Sequence, residues 1–411
     1  VEKIDSSTFL SNPYFEKLII PPTVKSIDIN AFKTSAVQNI SVHQDNLEYM
    51  SIDGVLFSKK NLSLLYFPPP HPASEYVIPS NIVSIESDAF NDCMNLTSIT
   101  IPSSVSSINY EAFQSLPALQ KILVEPGNQH FVSLNGILFS KDLSRIIRYP
   151  CEFETEQLVY EIPSTVQLIN NYAFLTSQLE QIIIPPSVTS IGQLAFANCR
   201  YLTNLIIPPS VTSIGEAAFA GCSELETIKI LANISSIGPK SFLLCQNLTH
   251  VELSSSIKII KKNAFQNCRN LTTIKLPENL ETIEDYGFFF CQNLKLLYIP
   301  PKLTTIGDSA FYYTPSIEEI VVDSNNPKYY SSGKILFQKE PHSIVYFANK
   351  NNVEHYVIPE GIVSIGDRAF SHCYTLKTIT LASTVTEIGE KAFMSCHNLE
   401  TVTITAGVTS I

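Results

Sequence analysis

A small residue followed by phenylalanine recurs along almost the whole chain of 411 residues, and its spacing limits the folds open to the chain. Most successive phenylalanines of this pattern lie 23 residues apart, one pair lies 22 apart, and three pairs lie 58, 61 and 59 apart. They are Phe9, Phe32, Phe90, Phe113, Phe174, Phe196, Phe219, Phe242, Phe265, Phe288, Phe311, Phe370 and Phe393. Repeats of this length cannot each bury a core alone, so stacked neighbours must share one. The spacing therefore predicts a solenoid.

Each repeat contains two extended pieces. In "YLTNLIIP", Leu202, Leu205 and Ile207 have the L-x-x-L-x-I form of a strand, and Pro208 ends it because proline has no N–H for a ladder. "VTSIG" predicts a second strand, closed by Gly215 at positive φ, and "EAAFAGC" is expected to return as one helical turn. Leucine and isoleucine at these offsets indicate a leucine-rich repeat solenoid of the β-rich α/β class. We expect a curved, elongated parallel β ribbon of ~23-residue repeats.

The three long steps share a second pattern that predicts inserted β-hairpin units. These units occupy about 43–78, 125–162 and 323–358. Their turns are Asp53-Gly54, Asn135-Gly136 and, as a weaker version, Ser332-Gly333. Asp-Gly and Asn-Gly favour two-residue hairpin turns because these residues tolerate positive φ. The sequence leaves open whether the units continue the ribbon or project from it.

The combined motifs resemble a known family. "IPPSVTSIGEAAFAGCSEL", together with "DGVLFS" in the hairpin units, is similar to the BspA-like leucine-rich repeat proteins of bacterial and protist cell surfaces. The resemblance covers residues 1–411 as a single solenoid and implies attachment to host cells or extracellular matrix. Because "TITAGVTSI" stops inside a repeat, we expect a fragment cut within the array at both ends.

Eight of the nine cysteines lie three residues after the repeated phenylalanine, so they form a column in the predicted stack. They are Cys93, Cys199, Cys222, Cys245, Cys268, Cys291, Cys373 and Cys396. Serine, threonine and leucine occupy the same offset elsewhere, which favours buried free thiols over disulfides or metal ligands. Cys151 lies outside the column and is expected to be the accessible thiol. Without C-x-x-C or H-E-x-x-H spacing, we expect neither a metal nor a cofactor.

Charge and motifs argue against several functions. The net charge of −11 is spread along the chain, which argues against a nucleic-acid partner. One basic cluster, at Lys258, Lys261, Lys262, Arg269 and Lys275, carries no stacking platform for bases and is interpreted as solvated surface. No apolar run approaches the ~18 residues of a membrane span, and no G-x-S-x-G or phosphate-loop motif occurs. We therefore expect no enzyme activity.

The exposed face of the strands is the expected place for binding, because a solenoid presents a large concave surface there. Apolar residues occupy outward positions in two groups, and lysines and a glutamate alternate between them. The candidate residues are Leu123, Ile183, Ile206, Lys229, Glu252, Lys275, Leu296, Tyr298 and Val321. Two interpretations remain open: such residues simply suit a strand, or they form exposed patches that bind protein.

The favoured hypothesis is a non-catalytic, adhesin-like module at the cell surface or secreted, which binds host-cell or matrix proteins and does not itself insert into a membrane. The alternative is a structural spacer or an intracellular scaffold for protein–protein interaction. Cellular location distinguishes the two.

Overall fold

In a computed structural model, residues 1–9, 12, 14–32, 35–152, 158–348 and 353–411 are described. Contacts divide the chain into two compact units: unit 1 comprises 1–179 and 190–199, and unit 2 comprises 180–189 and 200–411. Each unit is a parallel β-solenoid, which confirms the predicted fold class. The described residues contain a single helix, the 3-10 turn Ile29–Phe32.

Most turns contribute one long strand. In unit 1 the long strands are Lys17–Ile20, Asn39–Val42, Glu75–Val77, Ser98–Ile101, Lys121–Val124 and Val159–Glu161. In unit 2 they are Gln181–Ile183, Asn204–Ile207, Thr227–Ile230, His250–Leu253, Leu296–Ile299, Glu319–Val322, His355–Val357, Thr378–Thr380 and Thr401–Thr403. Their side chains alternate between core and surface, as a strand with one covered face requires.

A two-residue strand follows the proline of most turns and builds a second ladder. In unit 1 these short strands are Lys3–Ile4, Ser26–Ile27, Ser84–Ile85, Ser107–Ile108, Leu168–Ile169 and Ser190–Ile191. In unit 2 they are Ser213–Ile214, Ser236–Ile237, Ile259–Ile260, Thr282–Ile283, Thr305–Ile306, Ser364–Ile365 and Glu387–Ile388.

Most return segments around the repeated phenylalanines are turns with two left-handed residues, so the helical turn predicted for "EAAFAGC" was wrong. The segment at Phe32 differs, because it contains the 3-10 turn Ile29–Phe32. Around Phe219, Ala217 has φ 54° and Gly221 has φ 75°. The N–H groups of these three residues donate to carbonyls of the next turn at 2.7–3.1 Å. An α-helix would need the same N–H groups for its own bonds. Stacking between turns therefore replaces the helix.

The repeat glycine is required by close packing. Gly215 is not among the described glycines with positive φ, so that prediction was also wrong. At Gly192, which follows the short strand in the same way, a Cβ atom would lie 2.4 Å from the backbone nitrogen of Asn171. The preceding turn leaves no room for a side chain there.

Aromatic rings stack along the core beneath the return segments. In unit 2, the rings of Phe219, Phe242, Phe265, Phe288 and Phe311 follow one another with centroids 5.2–5.7 Å apart and nearly parallel planes. Such offset contacts add stability beyond simple burial. The repeated phenylalanine thus links each turn to the next.

The hairpin units are confirmed, and their third strand continues the ladder of short strands. Their strands are Tyr49–Ile52, Val55–Ser58 and Ser63–Tyr66; Phe131–Leu134, Ile137–Ser140 and Arg145–Arg148; and Tyr329–Ser332, Ile335–Gln338 and Ser343–Phe347. Each triplet is antiparallel, and its last strand pairs in parallel with the next short strand, as Leu64 does with Ile85. Residues 153–157 and 349–352, near the ends of two predicted units, lie outside the described residues.

The hairpin turns differ in type. Asp53 and Gly54 both have positive φ, as the Asp-Gly motif predicts. In the third unit Ser332 pairs with Ile335, so the turn residues are Gly333 and Lys334, one position later than predicted. Gly333 at φ 60° alone is left-handed, which indicates a type II′ turn with glycine at its first central position.

A buried asparagine anchors each hairpin unit to the preceding turn. The Asn326 amide nitrogen donates to the Pro300 and Leu303 carbonyls, and its oxygen accepts from the Lys328 and Tyr329 N–H groups, at 2.7–2.9 Å. Asn46 and Asn128 make the same four bonds in the other units. Their role was not predicted from the sequence, although all three lie three residues before the first hairpin strand.

Candidate ligand-binding face

Eight of the nine candidate residues lie in unit 2, on or beside its long strands. We call the outward side of residues 181–322 in this unit the long-strand face. Ile206 is 54% exposed, Ile183 is 41% exposed and Val321 is 37% exposed. These isoleucines and the valine are therefore open to solvent where strands would normally present polar groups.

The centre of the face is an aligned row of side chains. Ile206, Lys229 and Glu252 are direct partners on three neighbouring parallel strands. The Lys229 ammonium lies 3.8 Å from the Glu252 carboxylate, and both groups are exposed. An exposed ion pair of this length adds little stability. Both charges therefore remain available to a partner.

A groove opens beside this row. Residues 273–276 do not join the ladder in the described structure, and the long strands on either side belong to different sheets. The groove encloses about 430 Å³. It is lined by Thr227, Ile228, Lys229, Thr249, His250, Val251, Glu252, Thr273 and Lys275. Lys275 makes no ion pair with any described residue, so it presents an unneutralised charge.

The second apolar group is less open than the sequence indicated. Leu296 and Tyr298 are half-buried, and only Val321, the direct partner of Tyr298, is exposed. The Tyr298 hydroxyl lies 3.3 Å from a Glu278 carboxylate oxygen and 3.2 Å from one of Asp323. Burial, with a smaller effect of the two carboxylates, raises the pKa of Tyr298 to about 12. Tyr298 therefore lies at the edge of the face, where these hydrogen bonds fix its side chain.

Leu123 does not belong to this face. It lies in unit 1, is 40% exposed and pairs with Thr100 in a separate three-stranded sheet. The sequence grouped it with Ile183 by offset alone. Offset within a repeat does not reveal where a ladder is interrupted.

The groove is lined in part by residues that were not among the candidates predicted from the sequence. Thr227, His250 and Thr273 occupy the first outward position of their repeats, two residues before Lys229, Glu252 and Lys275. Their spacing made them visible in the sequence. Nothing in the sequence indicated that the ladder of long strands is interrupted beside these residues.

None of the eight column cysteines forms a disulfide, and all are buried apart from half-buried Cys396. The Cys268 thiol donates to the Phe242 carbonyl at 3.2 Å, and Cys245 and Cys291 make the equivalent bond to the preceding turn. Burial raises the pKa of Cys245 to about 12 and that of Cys268 well above its usual range.

The expectation for Cys151 was wrong, because Cys151 is only 3% exposed. Its sulfur lies 3.2 Å from the buried Arg148 guanidinium and 2.9 Å from the Thr176 hydroxyl. The return segment of the next turn covers it.

The described residues contain no group of three or more histidine, cysteine or acidic side chains that could hold a metal ion. Among the same residues, no helix has the length and apolar character needed to cross a membrane.

Three solved structures of bacterial leucine-rich repeat proteins match this chain. A leucine-rich repeat protein from Eubacterium ventriosum is 26% identical, with a TM-score of 0.63 over 77% of this chain and 81% of that protein. One from Bacteroides ovatus is 23% identical, with a TM-score of 0.49 over 89% of each chain. A leucine-rich cell surface protein from Faecalibacterium prausnitzii is 20% identical, with a TM-score of 0.43 over 88% of this chain and 77% of that protein. No curated protein sequence matches significantly.

The family comparison covers nearly the whole chain. The model of the BspA-type leucine-rich repeat region matches residues 2–72, 71–146, 146–243, 217–334 and 343–411. These segments include the long strands, the return segments and two complete hairpin units, whereas the strand Ile335–Gln338 of the third unit lies between two matched segments. The chain therefore belongs to the BspA-type leucine-rich repeat family.

Proposed function

We propose that this protein is a non-catalytic, adhesin-like surface module that binds host-cell or matrix proteins through the long-strand face of unit 2. The observation that carries the proposal is the groove of about 430 Å³ beside the exposed Ile206 side chain. Apolar contact area next to unneutralised charge suits a protein partner, in which buried apolar anchors supply affinity and charged groups set orientation.

Membership of the family supports a non-catalytic binding role. Leucine-rich repeat proteins of this type are generally binding proteins without catalytic chemistry. The F. prausnitzii protein is described as a cell surface protein. Attachment to host cells, and the location of this chain at a surface, belong to the proposal.

A capture assay tests the face. The 411-residue chain, immobilised, is exposed to purified matrix proteins and to solubilised membranes of epithelial cells. Ile206→Glu should lower capture of the bound protein at least tenfold, because a charge replaces an apolar contact at the centre of the face. Lys275→Glu should lower it as well by reversing the exposed charge beside the groove.

The matched control is Val357→Glu. Val357 is 66% exposed and occupies the same strand offset as Ile206, but it lies in a different sheet of unit 2. This variant should capture normally. Equal capture by wild type, Ile206→Glu and Lys275→Glu would contradict the proposed face. No capture by the wild type, together with protection of the segment from protease added to intact cells, would favour the spacer or scaffold.

A further inference from the structure

The third hairpin unit leaves a cavity on the side of unit 2 that carries the return segments. The hairpin supplies core strands but no return segment of its own, so the segments 307–312 and 366–368 face each other across it. The space between them encloses about 270 Å³. Phe311, Ile344 and Tyr346 are among its apolar lining, and Asp308, Gln338, Ser343, Asp367 and Arg368 are among its polar lining.

A charged pair spans the cavity. The Arg368 guanidinium donates to both Asp308 carboxylate oxygens at 2.8 Å, and its side chain is largely buried. Glu216 and Lys240 form the corresponding pair between two adjacent return segments elsewhere in unit 2. At the hairpin the same pairing joins residues 60 positions apart. The pair therefore ties the two return segments together across the cavity.

Half-exposed aromatic rings continue from the cavity along the neighbouring return segments. We define the aromatic patch as Phe289, Phe290, Tyr312, Tyr313, His372 and Tyr374. Its rings touch in a continuous series with centroids 4.3–5.6 Å apart. Tyr312 belongs to both features, because it lines the cavity and contacts Phe289 and His372. The cavity therefore has an aromatic rim.

Three rings of the patch stand on left-handed backbone, which is strained for phenylalanine and tyrosine but tolerated by histidine. Phe290, Tyr313 and His372 have φ of 60–64°, two residues after the repeated phenylalanine or its equivalent. Among the described residues, eight others at this offset are left-handed, and six of these are glycine, asparagine, aspartate or serine. The eight are Asp92, Ser115, Thr176, Asn198, Gly221, Leu244, Asn267 and Ser395. Bulky rings are disfavoured in this conformation. Strain retained at neighbouring positions points to a functional use.

We propose that the cavity and the aromatic patch form a carbohydrate-binding site for a neutral hexose at the end of a glycan. The apolar C–H face of the sugar stacks on the Tyr312 ring. Its hydroxyl groups bond to Asp308 and to Gln338. The fixed Asp308–Arg368 pair keeps that carboxylate oriented, so binding orders few groups.

Size and charge favour a neutral sugar. The cavity lies near the small end of ligand pockets, ~300 Å³, which admits a single ring and no folded peptide segment. Asp308, Asp367 and Arg368 together leave one net negative charge, which disfavours an acidic sugar or a phosphate. A sugar is amphipathic in the same way as the site, with one apolar face and a polar edge.

Ligand-observed NMR on the full chain tests the site. The probes are methyl glycosides of glucose, galactose, mannose and N-acetylglucosamine, with N-acetylneuraminic acid as the anionic comparison. At least one neutral glycoside should give saturation transfer and compete with its parent sugar. Tyr312→Ala should weaken its binding about tenfold by removing the stacking surface, and Asp308→Asn should weaken it by a similar factor.

Matched variants separate the site from general folding. Leu243→Ala changes the residue at the offset of Tyr312 in another turn, and Glu216→Gln changes the residue that corresponds to Asp308. Both should bind like wild type. The proposal fails if no neutral glycoside binds, or if neither Tyr312→Ala nor Asp308→Asn weakens binding. Preference for N-acetylneuraminic acid would also overturn it. If a glycoprotein bound at this site still bound after its glycans were removed, the aromatic patch would contact protein instead of sugar.

Discussion

The column cysteines do more than fill space. Each of the thiols of Cys245, Cys268 and Cys291 donates to a phenylalanine carbonyl of the preceding turn, in a core where an unpaired carbonyl would be costly. At the same offset in another repeat, the Thr314 hydroxyl donates to the Phe311 carbonyl of its own turn at 2.7 Å. Leu116 carries no donor at this offset, so a donor is common at the position but is not required.

Substitution at Cys268 separates donor from volume. Cys268→Ser retains a donor for the Phe242 carbonyl and should lower the free energy of unfolding by less than about 1 kcal/mol. Cys268→Val retains apolar volume but removes the thiol bond, so the Phe242 carbonyl keeps only the Cys245 N–H at 3.2 Å and we expect a loss of about 0.5–1.5 kcal/mol. Urea unfolding followed by circular dichroism measures both. A larger loss for serine than for valine would mean that apolar volume decides.

The sequence predicted the thiol column because eight cysteines share one offset. It did not predict the burial of Cys151, which depends on Arg148 of the hairpin unit and Thr176 of the next return segment lying beside the sulfur. It also assigned Tyr298 to an exposed patch, since nothing in its own repeat reveals that Glu278 and Asp323 meet its hydroxyl. Contacts between repeats decide these cases.

At the scale of elements, the strands followed from alternation and from proline, whereas the return segments did not. "EAAFAGC" has favourable residues for a helical turn, but the N–H groups of Ala217, Phe219 and Gly221 bond to the next turn instead. Helix propensity is a weak preference that tertiary contacts override. The turn of the third hairpin unit also lies one position later than predicted, at Gly333 and Lys334.

The asparagine anchors make a prediction for the hairpin units. Asn326→Ala removes both donors to the Pro300 and Leu303 carbonyls, and we expect the free energy of unfolding to fall by about 3 kcal/mol. Asn326→Asp should also destabilise, because a carboxylate would face two carbonyl oxygens. Its effect should diminish as pH falls and the new carboxyl is protonated.

Asn325→Ala is the control for these variants. Asn325 is exposed, and its substitution should change stability by less than about 0.5 kcal/mol. Chemical denaturation at pH 7 and pH 4 measures all three variants. If Asn326→Ala were as stable as Asn325→Ala, the anchor would have no energetic role.

For the whole molecule, the 23-residue period was enough to predict a parallel solenoid with three hairpin units. The period could not reveal where the ladder of long strands stops. The interruption at residues 273–276 produces the groove beside Lys275, and the third hairpin unit produces the cavity beside Asp308. Departures from the repeat thus shape both proposed sites, and a repeat pattern describes only what the turns share.

The buried thiols predict alkaline sensitivity of the entire fold. Burial raises the pKa of Cys245 to about 12, and it also raises those of Cys93, Cys268 and Cys291. Unfolded thiols ionise near pH 8.5, so above that pH the unfolded state binds fewer protons than the folded state. Stability is therefore fully present below pH ~8.5 and falls as pH rises towards the folded-state pKa values.

The expected slope is about 1.4 kcal/mol per buried thiol for each pH unit above the unfolded pKa. Urea unfolding between pH 7 and pH 10, in the presence of a reductant, measures it. A Cys245→Ser, Cys268→Ser double variant should lose stability less steeply, since serine does not titrate. An identical slope would mean that the Cys245 and Cys268 thiols do not cause the loss.

The asparagine anchors have a consequence for how such a chain can change its length. Each anchor binds the carbonyl of a proline that ends a long strand: Pro21, Pro102 or Pro300. The same proline occurs in ordinary turns, for example Pro208. A hairpin unit could therefore be accommodated after many other turns, because the proline carbonyl that its asparagine binds is already present there. Duplication or deletion of whole turns would move a hairpin unit along the array without requiring a compensating substitution.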